Sequence, residues 1–96
     1  MDIDYPFVKG RVLKVLVDQY PEFLARSLLI RALDLEGIRL GDHEFNGVVT
    51  YLRDKGYVEF RTKPIPGGKD KLYSFRLTPA GVDLVEGIES DEAIEL

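Results

Sequence analysis

Residues Gly41–Leu77 read GDHEFNGVVTYLRDKGYVEFRTKPIPGGKDKLYSFRL. An amphipathic helix, a glycine stop and a β-hairpin follow one another here without a linker. Phe45, Val48, Val49 and Leu52 recur at i, i+3, i+4 and i+7, which gathers all four in one helical stripe against a core. Gly56 ends the helix, because glycine tolerates the left-handed conformation just past a helix C-terminus. Tyr57 beside it can fold back onto Leu52. Tyr57–Lys63 and Leu72–Leu77 are rich in aromatic and branched residues and read as strands. Pro64, Pro66, Gly67 and Gly68 between them form the hairpin tip.

The other segments fit the same small unit. Ninety-six residues suffice for one core and leave no room for a second. Pro6 is suited to opening a first helix at its first position, with Phe7, Val8, Val12, Leu13, Leu16 and Val17 as a wide apolar stripe closed by Tyr20 and Pro21. Glu22–Arg26 reads as a turn or short helical piece, and Ser27 as the N-cap of a second helix that runs to Gly37. Ile38–Leu40 is a short extended stretch able to pair as a third strand at the base of the hairpin. Thr78 and Pro79 open a last helix of about ten residues that presents Ala80, Leu84, Val85 and Ile88. The expected domain is 1–89, followed by an acidic flexible tail, 90–96, with little to bury.

The net charge of −4 hides an uneven distribution. Residues 37–76 hold eight Lys or Arg against five Asp or Glu, whereas residues 77–96 hold none against six. Charge distribution matters more than its total for steering a polyanion. Cysteine is absent, which removes disulfides and thiolate metal sites and is compatible with a cytoplasmic location. No apolar run approaches the roughly 18 residues of a membrane span, and no basic leader precedes one.

Three stretches carry a resemblance to a known group. They are Ser27–Leu33 as a second helix, Val49-x-x-Leu52-x-x-x-Gly56-Tyr57-Val58 leading from a recognition helix into a wing strand, and Leu77-Thr78-Pro79-Ala80-Gly81-x-x-Leu84 after the wing. On these the chain resembles the winged helix-turn-helix superfamily, in the group of MarR-, PadR- and ArsR-like regulators. The resemblance covers nearly the whole chain. It implies an α+β fold: a three-helix core, a small antiparallel β-sheet forming the wing, and a short C-terminal helix. It also implies a small non-enzymatic double-stranded DNA-binding protein, a transcriptional regulator. Two departures matter. The short first and last helices argue against a stable dimer of the MarR type, although a weak homodimer is compatible with them. A single histidine and no cysteine leave no ligand set for ArsR-like metal sensing.

On that resemblance helix 42–55 enters the major groove and shows it the face opposite the buried stripe. At 100° per residue this face holds His43, Asn46, Gly47, Thr50 and Asp54, with Tyr51 and Arg53 at its edges. Asn46 is the strongest base reader, since its amide can pair bidentately with adenine; Thr50 suits a base or a phosphate, and Arg53 a flanking phosphate or guanine. The same residue types also make an ordinary solvated helix face. Gly47 costs a helix about 1 kcal/mol relative to alanine, which close approach of a groove wall, packing against the second helix or simple tolerance would each explain. Asp54 opposes phosphate binding unless Arg53 or Lys55 neutralises it or it accepts a bond from cytosine.

The resemblance assigns phosphates to Arg39, Arg61, Lys63, Lys69 and Lys71, with hairpin 57–77 as a basic wing; the bland reading is an edge kept soluble by Lys and Pro. Gly67-Gly68-Lys69 is no nucleotide loop, because no helix follows it. No catalytic residue, cofactor or metal is indicated. The alternative function is a winged-helix protein–protein interaction adaptor without DNA binding, which the slightly acidic balance of Asp42–Lys55 favours.

Overall fold

The computed structural model describes residues 3–68 and 71–96. Helix α1 (Tyr5–Gln19) is followed by strand β1 (Leu24–Ala25), helices α2 (Arg26–Leu35) and α3 (Asp42–Asp54), the hairpin β2 (Val58–Pro64) and β3 (Lys71–Leu77), and helix α4 (Pro79–Val85). The α+β winged-helix arrangement expected from the sequence is the observed one. One core cluster draws on all four helices, both hairpin strands and Ile94, with Leu13, Leu16, Leu29, Phe45, Leu52 and Leu77 fully enclosed. Burial of apolar surface at roughly 25 cal/mol per Å² is what holds so short a chain together.

Helix ends follow local chemistry. Asp4, one residue ahead of the expected start, caps α1 by accepting from the Phe7 N–H at 3.2 Å, and Pro6 sits in the first turn where its missing N–H costs nothing. Phe7 falls off the buried stripe and is 41% exposed. Gly56 ends α3 at φ +85°, with its N–H on the Arg53 carbonyl and that of Tyr57 on the Leu52 carbonyl, both at 2.9 Å. This is the paired bonding of a Schellman cap. The Thr78 hydroxyl accepts from Gly81 at 3.1 Å as α4 begins. That last helix is shorter than expected and ends before Ile88; Ala80 within it and Ile88 beyond it lie exposed rather than on the core.

The third strand is not the expected one. Leu24 pairs with Phe75 and Ala25 with Ser74, antiparallel, so the sheet order is β1-β3-β2. Ile38 and Leu40 instead pack half-buried against the core as a connection. Because β1 runs straight into α2, Ala25 holds the N-cap position and Ser27 lies inside the helix without capping it.

The C-terminal segment also departs from expectation, because it is packed. Ile94 is 7% exposed within the core, and the Glu95 N–H donates to the Pro6 carbonyl at 2.9 Å. Gly10 explains how the segment lies so close to α1: a Cβ there would stand 1.8 Å from the Glu95 carbonyl oxygen. Asp91 anchors the other end. Its carboxylate accepts from the Ala93 N–H at 2.9 Å and the Tyr57 hydroxyl at 2.8 Å, and pairs with Lys55 Nζ at 3.3 Å. The acidic composition suggests a flexible tail with little to bury; Ile94 in the core and the donors on Tyr57, Ala93 and Lys55 at Asp91 hold it down instead.

These contacts predict a pH dependence. The Ala93 N–H, then the Tyr57 hydroxyl, hold the Asp91 carboxyl below its ordinary value of 3.8. A lowered carboxyl favours the folded state above 3.8, and that contribution disappears as pH falls through the folded value. Burial, then the Asp91 bond, push Tyr57 from 10.0 up to about 12, so its contribution is present below 10 and is lost between 10 and about 12. Chemical unfolding followed against pH should show both losses. Asp91→Asn should remove the acid one, and an unchanged acid limb in that variant would refute the assignment.

A candidate nucleic-acid interface

Aromatic packing sets the angle between α3 and the hairpin. The rings of Phe45 and Phe75 meet edge to face at 5.9 Å, and those of Phe60 and Phe75 at 4.9 Å, so one stack runs from α3 through β3 to β2. With Phe45, Val48, Val49 and Leu52 turned inward, His43, Asn46, Gly47 and Arg53 are exposed and Thr50 is half-buried. The predicted outer face is therefore the observed one.

The structure divides that face in two. Asn46, Thr50 and Arg53, at i, i+4 and i+7, line an open groove of about 910 Å³ whose opposite wall is Lys71 and Tyr73 of the hairpin. His43 and Gly47 instead border a smaller hollow with Tyr5, Lys9 and Tyr51, on the side of α1. A Cβ on Gly47 would meet nothing within 4 Å, so packing against the second helix is not the reason for this glycine.

Several expected phosphate ligands are already engaged. Arg53 lies 4.8 Å over the Phe60 ring with Nη2 3.4 Å from Asp54 Oδ1, so Asp54 is partly neutralised, as phosphate approach requires. Lys55 goes to Asp91 instead. Arg39 pairs with Asp34 at 2.8 Å and does not line the groove.

Strand register separates the wing cations. Phe60 opposes Phe75 and Thr62 opposes Tyr73 on the helix side, while Arg61 opposes Ser74 and Lys63 opposes Leu72 on the outer side. Lys71 shares the helix side with Tyr73 and Phe75. Arg61 and Arg76 are both held over Phe23, at 4.3 and 5.0 Å, and Arg76 also binds Glu59 and the Pro21 carbonyl. Lys63 and Lys71 are exposed and pair with no carboxylate among the described residues. Lys69 lies outside the described residues.

Arg26 was missed from sequence. It opens α2, lines the groove, and places its guanidinium 4.8 Å over Phe45 with Nη2 3.4 Å from Asp42 Oδ1 and 3.5 Å from Asn46 Oδ1. A cation in the first turn of a helix opposes the helix dipole, and that misfit was the signal available.

Among the described residues no group of three or more His, Cys, Asp or Glu side chains could hold a metal, and no helix is long and apolar enough to cross a membrane. No known protein-family profile matches the chain, and no curated protein sequence matches it. Solved structures do. The chain is similar to a PadR-like transcription factor from Bacteroides fragilis, with a TM-score of 0.71 at 14% identity over 84% of this chain and 75% of that one. It is also similar to Pex from Synechococcus sp. strain PCC 7942, with a TM-score of 0.59 at 19% identity over 94% and 85% of the two chains.

Proposed function

We propose that the chain is a sequence-specific double-stranded DNA-binding protein and a transcriptional regulator, with α3 in the major groove and the β2–β3 hairpin as a wing on the backbone. The observation that carries this reading is the groove itself: Asn46, Thr50 and Arg53 stand on one wall, and Lys71 on the other. A helix that presents base-edge chemistry beside a basic hairpin is what the reading requires. The open space around Gly47 leaves room for a groove wall. The structural likeness to a PadR-like transcription factor supports the same reading.

An adaptor function without DNA binding is the alternative, favoured by the acidic residues Asp42, Glu44 and Asp54 on α3 and by the pairing of Arg26 and Arg53 with two of them. A backbone amide titration with a duplex of about 20 base pairs, two helical turns, separates the two. DNA binding should shift resonances within residues 39–71. A spectrum unmoved at low salt would overturn the DNA reading in favour of the adaptor. Asn46→Ala should then weaken a preferred site by about 1–3 kcal/mol and leave non-specific binding nearly unchanged, because only base contacts carry sequence information. Equal losses on every duplex would remove Asn46 from base reading.

A further inference from the structure

An asparagine alone is suited to adenine: its amide oxygen accepts from the exocyclic amino group while its amide nitrogen donates to N7. In the folded chain Asn46 is not alone. Arg26, from the start of α2, places Nη2 3.5 Å from Asn46 Oδ1 and 3.4 Å from Asp42 Oδ1, with its guanidinium 4.8 Å over the Phe45 ring. All three of these contacts, Asp42, Phe45 and Asn46, come from α3. Arg26, Asp42 and Asn46 line one groove, and the Asp42 side chain is 91% exposed while that of Arg26 is 30% exposed.

We propose that Arg26 is a specificity-determining residue that converts Asn46 from an adenine reader to a guanine reader. The inference rests on the DNA-binding reading above. An amide has one acceptor oxygen and two N–H donors, and here the oxygen faces a guanidinium. The end left for a base is the donor end. Adenine would have to bring its own amino hydrogens to an oxygen already beside a positive charge, which repels them. Guanine presents N7 and O6, both acceptors, and matches both the Asn46 donors and the guanidinium N–H groups that the α3 contacts leave over. Asp42 fixes the guanidinium without changing this donor pattern. As an acceptor at the groove edge, Asp42 also suits the amino group of the cytosine paired with that guanine.

The test is selection of bound duplexes from a randomised pool by the wild-type chain, followed by competition binding. The position read by Asn46 is the one at which Asn46→Ala loses discrimination. Guanine should be preferred there over adenine by about tenfold or more, the scale of one bidentate contact. In Arg26→Ala the oxygen is released, and adenine should equal or overtake guanine at that one position. Arg26→Met, which keeps an apolar cover over Phe45 without any donor, should switch in the same way and guards against misfolding of the alanine variant. A role confined to stability would instead weaken all duplexes alike. Adenine preference in the wild type, or a uniform loss in both Arg26 variants, would overturn the pair while leaving DNA binding intact. Failure to bind any duplex at low salt would overturn the DNA reading and the pair together.

Discussion

Ile94→Ala should lower the unfolding free energy by about 2–5 kcal/mol, a large part of the 5–15 kcal/mol typical of a domain. The side chain is 7% exposed and joins the main core, so its truncation removes buried methyl groups and leaves a cavity that the surroundings fill only partly. Deleting residues 90–96 should cost more, since it also removes the Glu95 bond to Pro6 and the Asp91 contacts to Tyr57 and Lys55. Urea unfolding checks both. Gly10→Ala approaches the same contact from the other side. Alanine improves an exposed helix interior by up to about 1 kcal/mol, but here the added Cβ would stand 1.8 Å from the Glu95 carbonyl oxygen. The clash should win and the variant should be less stable than the wild type. A loss below about 0.5 kcal/mol for Ile94→Ala, or a gain for Gly10→Ala, would show the segment to be a detached tail.

The double substitution Lys63→Ala with Lys71→Ala should flatten the dependence of log affinity on log salt by roughly 1.8 units, at about 0.9 for each phosphate neutralised. Both side chains are exposed and unpaired with carboxylates among the described residues, so the fold should survive with stability changed by about 0.5 kcal/mol or less. Register puts the two on opposite faces of the hairpin. A wing lying in a minor groove would use both faces, and each single variant would then flatten the slope by about 0.9 units. A hairpin laid flat on one strand would leave Lys63→Ala silent and Lys71→Ala effective. Salt dependence identical to the wild type in the folded double variant would reduce the basic hairpin to a solubility device and strengthen the adaptor reading.

What could be read in advance was written in short-range spacing. The i, i+3, i+4, i+7 recurrence of Phe45, Val48, Val49 and Leu52 places α3 and its outward face because a helix repeats every 3.6 residues whatever it packs against. Gly56, Thr78 and the Pro64–Gly68 break act within a few residues of themselves and mark their element ends equally well. Alternation along β3 likewise marks Phe75 and Leu77 as inward, though Tyr73 on the same face is 41% exposed because it lies toward the wing tip.

The remainder depends on contacts between residues far apart in the chain. Leu24–Ala25 has too few residues for a strand signal and becomes one only against Phe75 and Ser74. Ser90–Leu96 is acidic enough to suggest a free tail, and its burial rests on a single isoleucine, a glycine saddle in α1 and the donors that gather at Asp91. The division of the wing cations between two faces, with Arg61 drawn onto Phe23, needs the register of β2 on β3 and the path of the chain before β1. Arg26 carries no periodicity of its own. Its role beside Asn46 arises when α2 and α3 are folded against each other, since a hydrogen bond is specified by distance and direction in space and leaves no trace in sequence separation.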